Sequence, residues 1–389
     1  MRIGIFTNTY RPTVNGVAKC VEYYERGLQA RGHEVVIFAP APEDYDRSLD
    51  PPFVYRFPAL PIPLDMDYSI AAPYGRGVVK ALRHLDFDII HTQHPIWVGA
   101  WGAWYARWAE VPLVTTVHTE YRLFAHLMPL PEPLVEAYLR LRVSSYCNKC
   151  EVITTPVPSM RRLLREEGVR RPIEILPNPT QIGDFTDVGG EEVRQAYGVP
   201  EGAVLLGFVG RLSPEKNLTF LLESAALVMR SHPGVYFLLV GDGPERAELE
   251  GQARRQDLSG RVLFAGAMPH ERVPAFQAAF DVFITASLSE TQPLAYTEAM
   301  ASGKPVVALA APGAQDMIVP GKNGLLASAE GGAEGLAEQI TAVVEDEARR
   351  REMGEFAREW VQQFDVARVA EKLEGIYERA RAHALEEPI

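Results

Sequence analysis

At 389 residues, 47% hydrophobic and 23% charged, the chain has room for two globular domains of ordinary size. Its net charge of −12 argues against a nucleic-acid partner, which would need a basic face, and no apolar run is long enough to cross a bilayer. The first residues already read as a strand, so no signal peptide is expected and the protein is placed in the cytoplasm. Three cysteines give no disulfide framework. Cys147 and Cys150 form a lone Cys-x-x-Cys without the second ligand pair that zinc requires, so packed thiols and no metal are expected there.

The strand expected at residues 2–7 leads into Thr9-Tyr-Arg-Pro-Thr-Val-Asn-Gly-Val-Ala. Asn15-Gly16 reads as a permissive turn before a helix reaching about Ala30. A glycine at a helix N-terminus lets a phosphate approach the main chain, although an isolated Asn-Gly is usually an ordinary turn. Further strands are expected at 34–39, 88–92, 112–117 and 152–155. The stretch 44–72, rich in proline, aspartate and aromatics, reads as a surface excursion of a kind that can also line an entrance. His91 and His94 end the 88–92 strand; their loop spacing is no metal signature, and both are kept as candidates for supporting a site from behind. Trp97, Trp101, Trp104 and Trp108 recur at helical spacing and are expected to pack mostly on the sheet, with a membrane interface open to the outer members. His118 follows the strand 112–117, a place where histidines are often simply packed. Segment 131–171 carries eight basic residues against five acidic ones, which makes it net basic within an acidic chain. Leu134, Leu139, Leu141 and Val143, with Phe124, Leu127, Met128 and Leu130 ahead of them, are expected to add apolar surface.

Leu176-Pro-Asn-Pro-Thr-Gln-Ile-Gly-Asp reads as a linker, after which strands are expected at 204–209, 235–240, 262–265, 282–285 and 305–308. The alternation of strands and helical patterns predicts an α/β protein in which each half has its own doubly wound parallel sheet. Such sheets bind ligands beyond the carboxyl ends of their strands. Arg211 and Lys216 flank the short loop Gly210-Arg-Leu-Ser-Pro-Glu-Lys-Asn, where unaided they read as solvated charges. Gly241-Asp-Gly-Pro-Glu-Arg lacks the third glycine of a dinucleotide fingerprint and is read as a turn. Ser289 to Val307 reads Ser-Glu-Thr-Gln-Pro-Leu-Ala-Tyr-Thr-Glu-Ala-Met-Ala-Ser-Gly-Lys-Pro-Val-Val, with Pro293 expected in the first turn of a helix. Glu290 and Glu298 then flank a loop-to-helix junction, where each carboxylate can accept two sugar hydroxyls or remain a solvated acid. A helical pattern closes the chain from about 331 to 384.

Glu-x7-Glu followed by Ala-Met-Ala-Ser-Gly-Lys-Pro-Val-Val resembles the donor-binding signature of the retaining glycosyltransferases of family 4. The narrower string Ser-Glu-Thr-Gln-x-Leu-x-x-x-Glu-Ala resembles the branch that glycosylates membrane lipids, notably the diacylglycerol α-glucosyltransferases. The likeness runs from Gly4 to about Phe364. It implies the GT-B fold, two facing Rossmann-like domains with a central cleft. Residues 1–183 would form the acceptor domain, 184–364 the nucleotide-sugar domain, and a helix at about 365–389 would cross back onto the first.

The resemblance also implies roles. Glu298 would hold the ribose, Glu290 the sugar hydroxyls, and Gln292 and Leu294 would add donor contacts; Met268 would meet the nucleobase through its backbone. Arg211, Lys216 and the Gly16 amide would bind the diphosphate in place of a metal, with His118 beside the reacting carbon. No cofactor is implied beyond the donor, most simply UDP-glucose, and the implied acceptor is a lipid such as diacylglycerol. Segment 124–171 would then rest on an anionic membrane, with the protein peripheral on the inner face of the cell membrane. Pro293 stands where many relatives have glycine, which removes a backbone donor near the sugar. Galactose, mannose or an amino sugar therefore remain open as donors, with a phosphoinositide, a glycan or a soluble molecule as alternative acceptors. A non-catalytic nucleotide-sugar-binding protein is the alternative of another class.

Overall fold

The computed structural model describes residues 1–13, 15–41, 45–61, 69–71, 76–128 and 130–386. Of the excursion expected at 44–72, residues 44, 62–68 and 72 lie outside these. The chain divides into two compact units, Met1–Pro179 with Val366–Ile389, and Thr180–Asp365.

In chain order the strands of the first unit are β1 (Arg2–Phe6), β2 (Glu34–Pro40), β3 (Val54–Phe57), the short β4 (Ala59–Pro61) and β5 (Ser69–Ala71), β6 (Ile89–Thr92), β7 (Leu113–Thr116), β8 (Val152–Thr155) and β9 (Ile173–Ile175). β4 and β5 pair antiparallel with one another. The other seven form one parallel sheet in the order β3-β2-β1-β6-β7-β8-β9. Buried on both faces, these strands are runs of Val and Ile rather than alternating patterns. The helix Gly16–Ala30 covers one face through Val21, Tyr24 and Leu28. Leu373, Ile376 and Tyr377 of the last helix, Val366–Glu386, join the same core. Gly27 makes the helix pairing possible, since a methyl group on it would lie 2.7 Å from Ala370 Cβ.

The tryptophan stripe packs on the sheet less than expected. Helix Val98–Trp108 turns Val98, Gly99, Gly102, Tyr105 and Ala106 inward. A methyl on Gly102 would lie 2.7 Å from Thr92 Cγ2, so it is the glycines that seat the helix on β6 and β1. Trp97 and Trp101 are half-buried, and Trp104 and Trp108 are 60% and 63% exposed. Cys147 and Cys150 are buried thiols, and burial pushes Cys147 up to about 12.

The second unit holds β10 (Val204–Val209), β11 (Val235–Val240), β12 (Val262–Gly266), β13 (Val282–Thr285), β14 (Val306–Leu309) and β15 (Gly324–Ala327). They form a parallel sheet in the order β12-β11-β10-β13-β14-β15. Leu221, Leu222, Ala225 and Met229 of helix Leu218–Ser231 pack on its core with Leu336 and Ile340 of helix Gly332–Val344. In each sheet the strand order reverses once, between β1 and β6 and between β10 and β13. At such a reversal neighbouring loops leave in opposite directions and open a crevice at the carboxyl ends of the strands.

Candidate functional site

In the second unit the reversal brings together the loops after β10 and β13. The first contains Arg211 and Lys216, the second Glu290. Main-chain bonds hold the β10 loop down: Leu212 N–H donates to Asp242 O at 2.9 Å, and Glu245 N–H donates to Leu212 O at 3.0 Å. Gly241 allows this seating, because it has φ +140° and a Cβ there would lie 1.8 Å from Gly210 O. The Gly241-Asp-Gly turn is therefore a buttress for the 210–216 loop, a role its sequence does not announce. After the single turn Pro214–Lys216, Asn217 takes a left-handed conformation at φ 53°, which asparagine tolerates, and helix Leu218–Ser231 begins. Its Nδ2 donates to Ala286 O at 3.4 Å and ties this loop to the one after β13.

Lys216 Nζ pairs with Glu290 Oε1, both side chains about four-fifths buried. The Ser287 hydroxyl lies 3.1 Å from Glu215 O and 3.4 Å from Glu290 Oε1. Sequence reasoning missed Ser287, since an isolated serine carries no signal. It also missed Gly313, where a Cβ would lie 2.2 Å from Glu290 O and 2.4 Å from Thr291 O. That glycine lets the start of helix Pro312–Met317 abut the Glu290 loop. Pro293 sits at the N-cap of helix Leu294–Ala301 rather than in its first turn, with ψ 128°. Its ring suits that extended backbone. Gln292 is 4% and Glu298 5% exposed, Glu298 lying in the helix's second turn, while Leu294 is half-buried at its start. Burial, and secondarily the Glu290 charge, raise the Tyr296 hydroxyl, which stays protonated. Arg211 is exposed on the same loop as Lys216, and Met268 lies half-buried two residues beyond β12, the outermost strand on its side.

In the first unit the reversal carries the loops after β1 and β6. Gly16 opens the helix after β1 and is exposed; Asn15 caps that helix, its Oδ1 accepting from Ala18 N–H at 2.9 Å. Gly16 takes no left-handed conformation, so turn geometry does not require glycine, and a Cβ there would meet nothing within 4 Å. What the glycine provides is open space before a helix N-terminus, where main-chain donors and the helix dipole favour an anion. His118 follows β7, is 4% exposed, and its Nε2 lies 2.8 Å from Gln93 Oε1. His94, its ring centroid 6.4 Å away, accepts from Asn8 N–H at 3.3 Å. Burial drives His91 and His94 down to about 3 and His118 down to about 4, with the Asn178 side chain opposing burial at His118. All three rings are therefore neutral near pH 7, hydrogen-bonding groups and poor bases.

In the same unit, helix Glu132–Cys147 presents Leu134 at 67%, Tyr138 at 57% and Leu141 at 67% exposure. Leu139 is half-buried and Val143 buried, so neither adds to the apolar surface as expected; the side chains of Phe124 and Leu127 lie outside the described ones. Among the described residues no helix is long and apolar enough to cross a membrane.

A lysine and a carboxylate at a strand-order reversal, ahead of a helix, suit an anionic ligand bearing hydroxyls. The sequence also matches known families. "Glycosyltransferase Family 4" matches residues 14–182 and "Glycosyl transferases group 1" matches residues 190–360. The chain is 32% identical over 316 residues to an alpha-monoglucosyldiacylglycerol synthase of Streptococcus pneumoniae, covering 79% of this chain and 71% of that one. The chain belongs to the family 4 glycosyltransferases. This glycosyltransferase is also 29% identical to a GDP-mannose-dependent alpha-mannosyltransferase of Mycolicibacterium smegmatis, over 97% of each chain. Its fold is GT-B: Anabaena HepE, solved in complex with UDP-glucose, superposes with a TM-score of 0.76 at 22% identity, covering 97% of this chain and 99% of that one. Lys216 and Glu290 are brought together in the glycosyltransferase's second unit, as are His118, His94 and Gln93 in its first.

Proposed function

We propose that this glycosyltransferase moves a hexose from a nucleotide diphosphate sugar, UDP-glucose foremost, to the hydroxyl of a membrane lipid such as diacylglycerol, with retention and without a metal. The pairing of Lys216 with Glu290 carries this reading, because it puts a phosphate cation and a hydroxyl acceptor on adjoining loops. Lys216 and Arg211 neutralise the diphosphate as the bond from the anomeric carbon to its oxygen breaks. Charge gathers there in the transition state, so fixed cations lower the barrier rather than merely tightening binding. Glu298 accepts from the ribose hydroxyls, Glu290 from those of the sugar, Gln292 and Leu294 flank the donor, Met268 meets the base, and His118 stands by the reacting carbon. The acceptor oxygen bonds to that carbon on the face the phosphate leaves, and its proton passes to the departing phosphate oxygen. A neutral His118 with little basicity suits this division of labour.

The Gly16 amide contributes to the diphosphate. Since a methyl group at Gly16 meets nothing in the protein, Gly16→Ala is expected to melt like the wild type while raising the donor KM about tenfold, because the methyl would hold the phosphate away from the retained main-chain N–H and weaken one charge-assisted bond. A lower melting temperature with an unchanged KM would instead make the glycine structural.

The lipid acceptor is supported by the name of the pneumococcal relative and by the Leu134, Tyr138 and Leu141 stripe. Arg140, Arg142 and Lys149 are exposed near it, each expected to add about 1 kcal/mol at an anionic surface. Co-sedimentation at low salt is expected to pellet the enzyme with phosphatidylglycerol vesicles and not with phosphatidylcholine. Leu134→Glu with Leu141→Glu should keep it in the supernatant; pelleting by that variant at the wild-type level would remove the stripe from the account. The mycobacterial relative's name keeps GDP-mannose as the second reading, and competition between the two donors in one assay separates them.

A further inference from the structure

If His118 faces the donor sugar as proposed, a buried chain of side chains behind it gains a purpose. Tyr377, on the last helix, is 0% exposed, and its hydroxyl lies 2.7 Å from His91 Nδ1. His91 Nε2 lies 2.7 Å from Thr116 Oγ1 and 3.2 Å from Gln93 Nε2. Gln93 Oε1 in turn lies 2.8 Å from His118 Nε2. His91 and Gln93 are themselves 0% exposed. Glycosyl transfer as described uses none of the three, and apolar side chains would fill the volume without the cost of burying polar groups. The Gln93 amide is asymmetric, donating at one end and accepting at the other. With its N–H directed at His91 Nε2, its carbonyl requires a proton on His118 Nε2.

We infer that Gln93 is a positioning residue for His118. It fixes the ring's orientation and its Nε2–H tautomer, and His91, anchored by Tyr377 and Thr116, holds the amide the right way round. The last helix thus reaches the donor-facing histidine through three hydrogen bonds in series.

The test uses the full chain, labelled with 15N-histidine, and donor turnover. Long-range 1H–15N spectra are expected to show wild-type His118 as the Nε2–H tautomer. Gln93→Met keeps length and removes the acceptor; kcat should fall about tenfold with donor KM within about twofold, and the single-tautomer signature should be lost. Tyr377→Phe should act in the same direction with a loss of about threefold, as the more distant member. A packing role alone would lower the melting temperature and leave the tautomer where it was. Unchanged His118 spectra in both variants, or wild-type kcat in both, overturn the inference. Should Gln93→Met fail to fold, Tyr377→Phe decides, because it leaves the amide in place. His118→Ala keeps the two readings apart. Wild-type turnover by that variant would sink the donor-facing reading and the positioning role with it. Loss of turnover in His118→Ala with none in the other two would sink the positioning role alone.

Discussion

Lys216→Ala is expected to lower kcat about 100- to 1,000-fold, the scale seen when one fixed group facing developing charge is removed. The side chain is not part of the core, and its ammonium answers Glu290 rather than a packed apolar layer. With both partners about four-fifths buried, loss of the pair should cost more than the ~1 kcal/mol of an exposed pair and at most about 3–5 kcal/mol, which a melting curve reads separately from turnover. The same substitution leaves Glu290 without its cation, which repels the diphosphate and raises the donor KM as well. Lys216→Arg restores the charge on a wider head group and should recover part of kcat. Turnover of Lys216→Ala within about threefold of wild type would rule out a phosphate clamp at this loop.

Glu298→Gln is the second large effect. The glutamine keeps the shape of a side chain that is 5% exposed and discards its charge, so the helix Leu294–Ala301 should stay folded. A hydrogen bond to a charged group contributes about 1.5–3 kcal/mol, which corresponds to a rise of about 10- to 150-fold in the Kd for UDP. The cycle is completed with 2′,3′-dideoxy-UDP. Wild type should bind it far more weakly than UDP, and Glu298→Gln should hardly distinguish the two. Equal discrimination by both proteins would show that Glu298 does not hold the ribose.

Runs rich in Val, Ile, Leu and Phe made β1, β2, β6, β10, β11 and β13 legible, because strands buried on both faces favour apolar residues at successive positions. β3, β9 and β15 escaped. β3 lies in the proline-rich stretch, β9 is three residues long, and β15 opens on Gly324, where a Cβ would lie 1.9 Å from Val306 O. The tryptophan stripe misled because periodicity identifies a face without saying which face is turned inward. Here Gly99 and Gly102 decide it by letting backbones approach. Residues of two separate motifs, such as Lys216 and Glu290, could be placed in one site only through resemblance, since 74 residues separate them. The contacts made by Ser287, Gly241, Gly313 and Gln93 were invisible for a related reason. Each acts on a neighbour brought close by sheet order, and local spacing holds no record of that.

The most direct test is the product itself. The purified enzyme is incubated with 13C-labelled UDP-glucose and diacylglycerol vesicles in the presence of a chelator, and the anomeric configuration of the lipid product is read by NMR. The account predicts an α-linked glucosyl lipid formed at an undiminished rate. A β-linked product, or transfer that stops when divalent ions are removed, would contradict it.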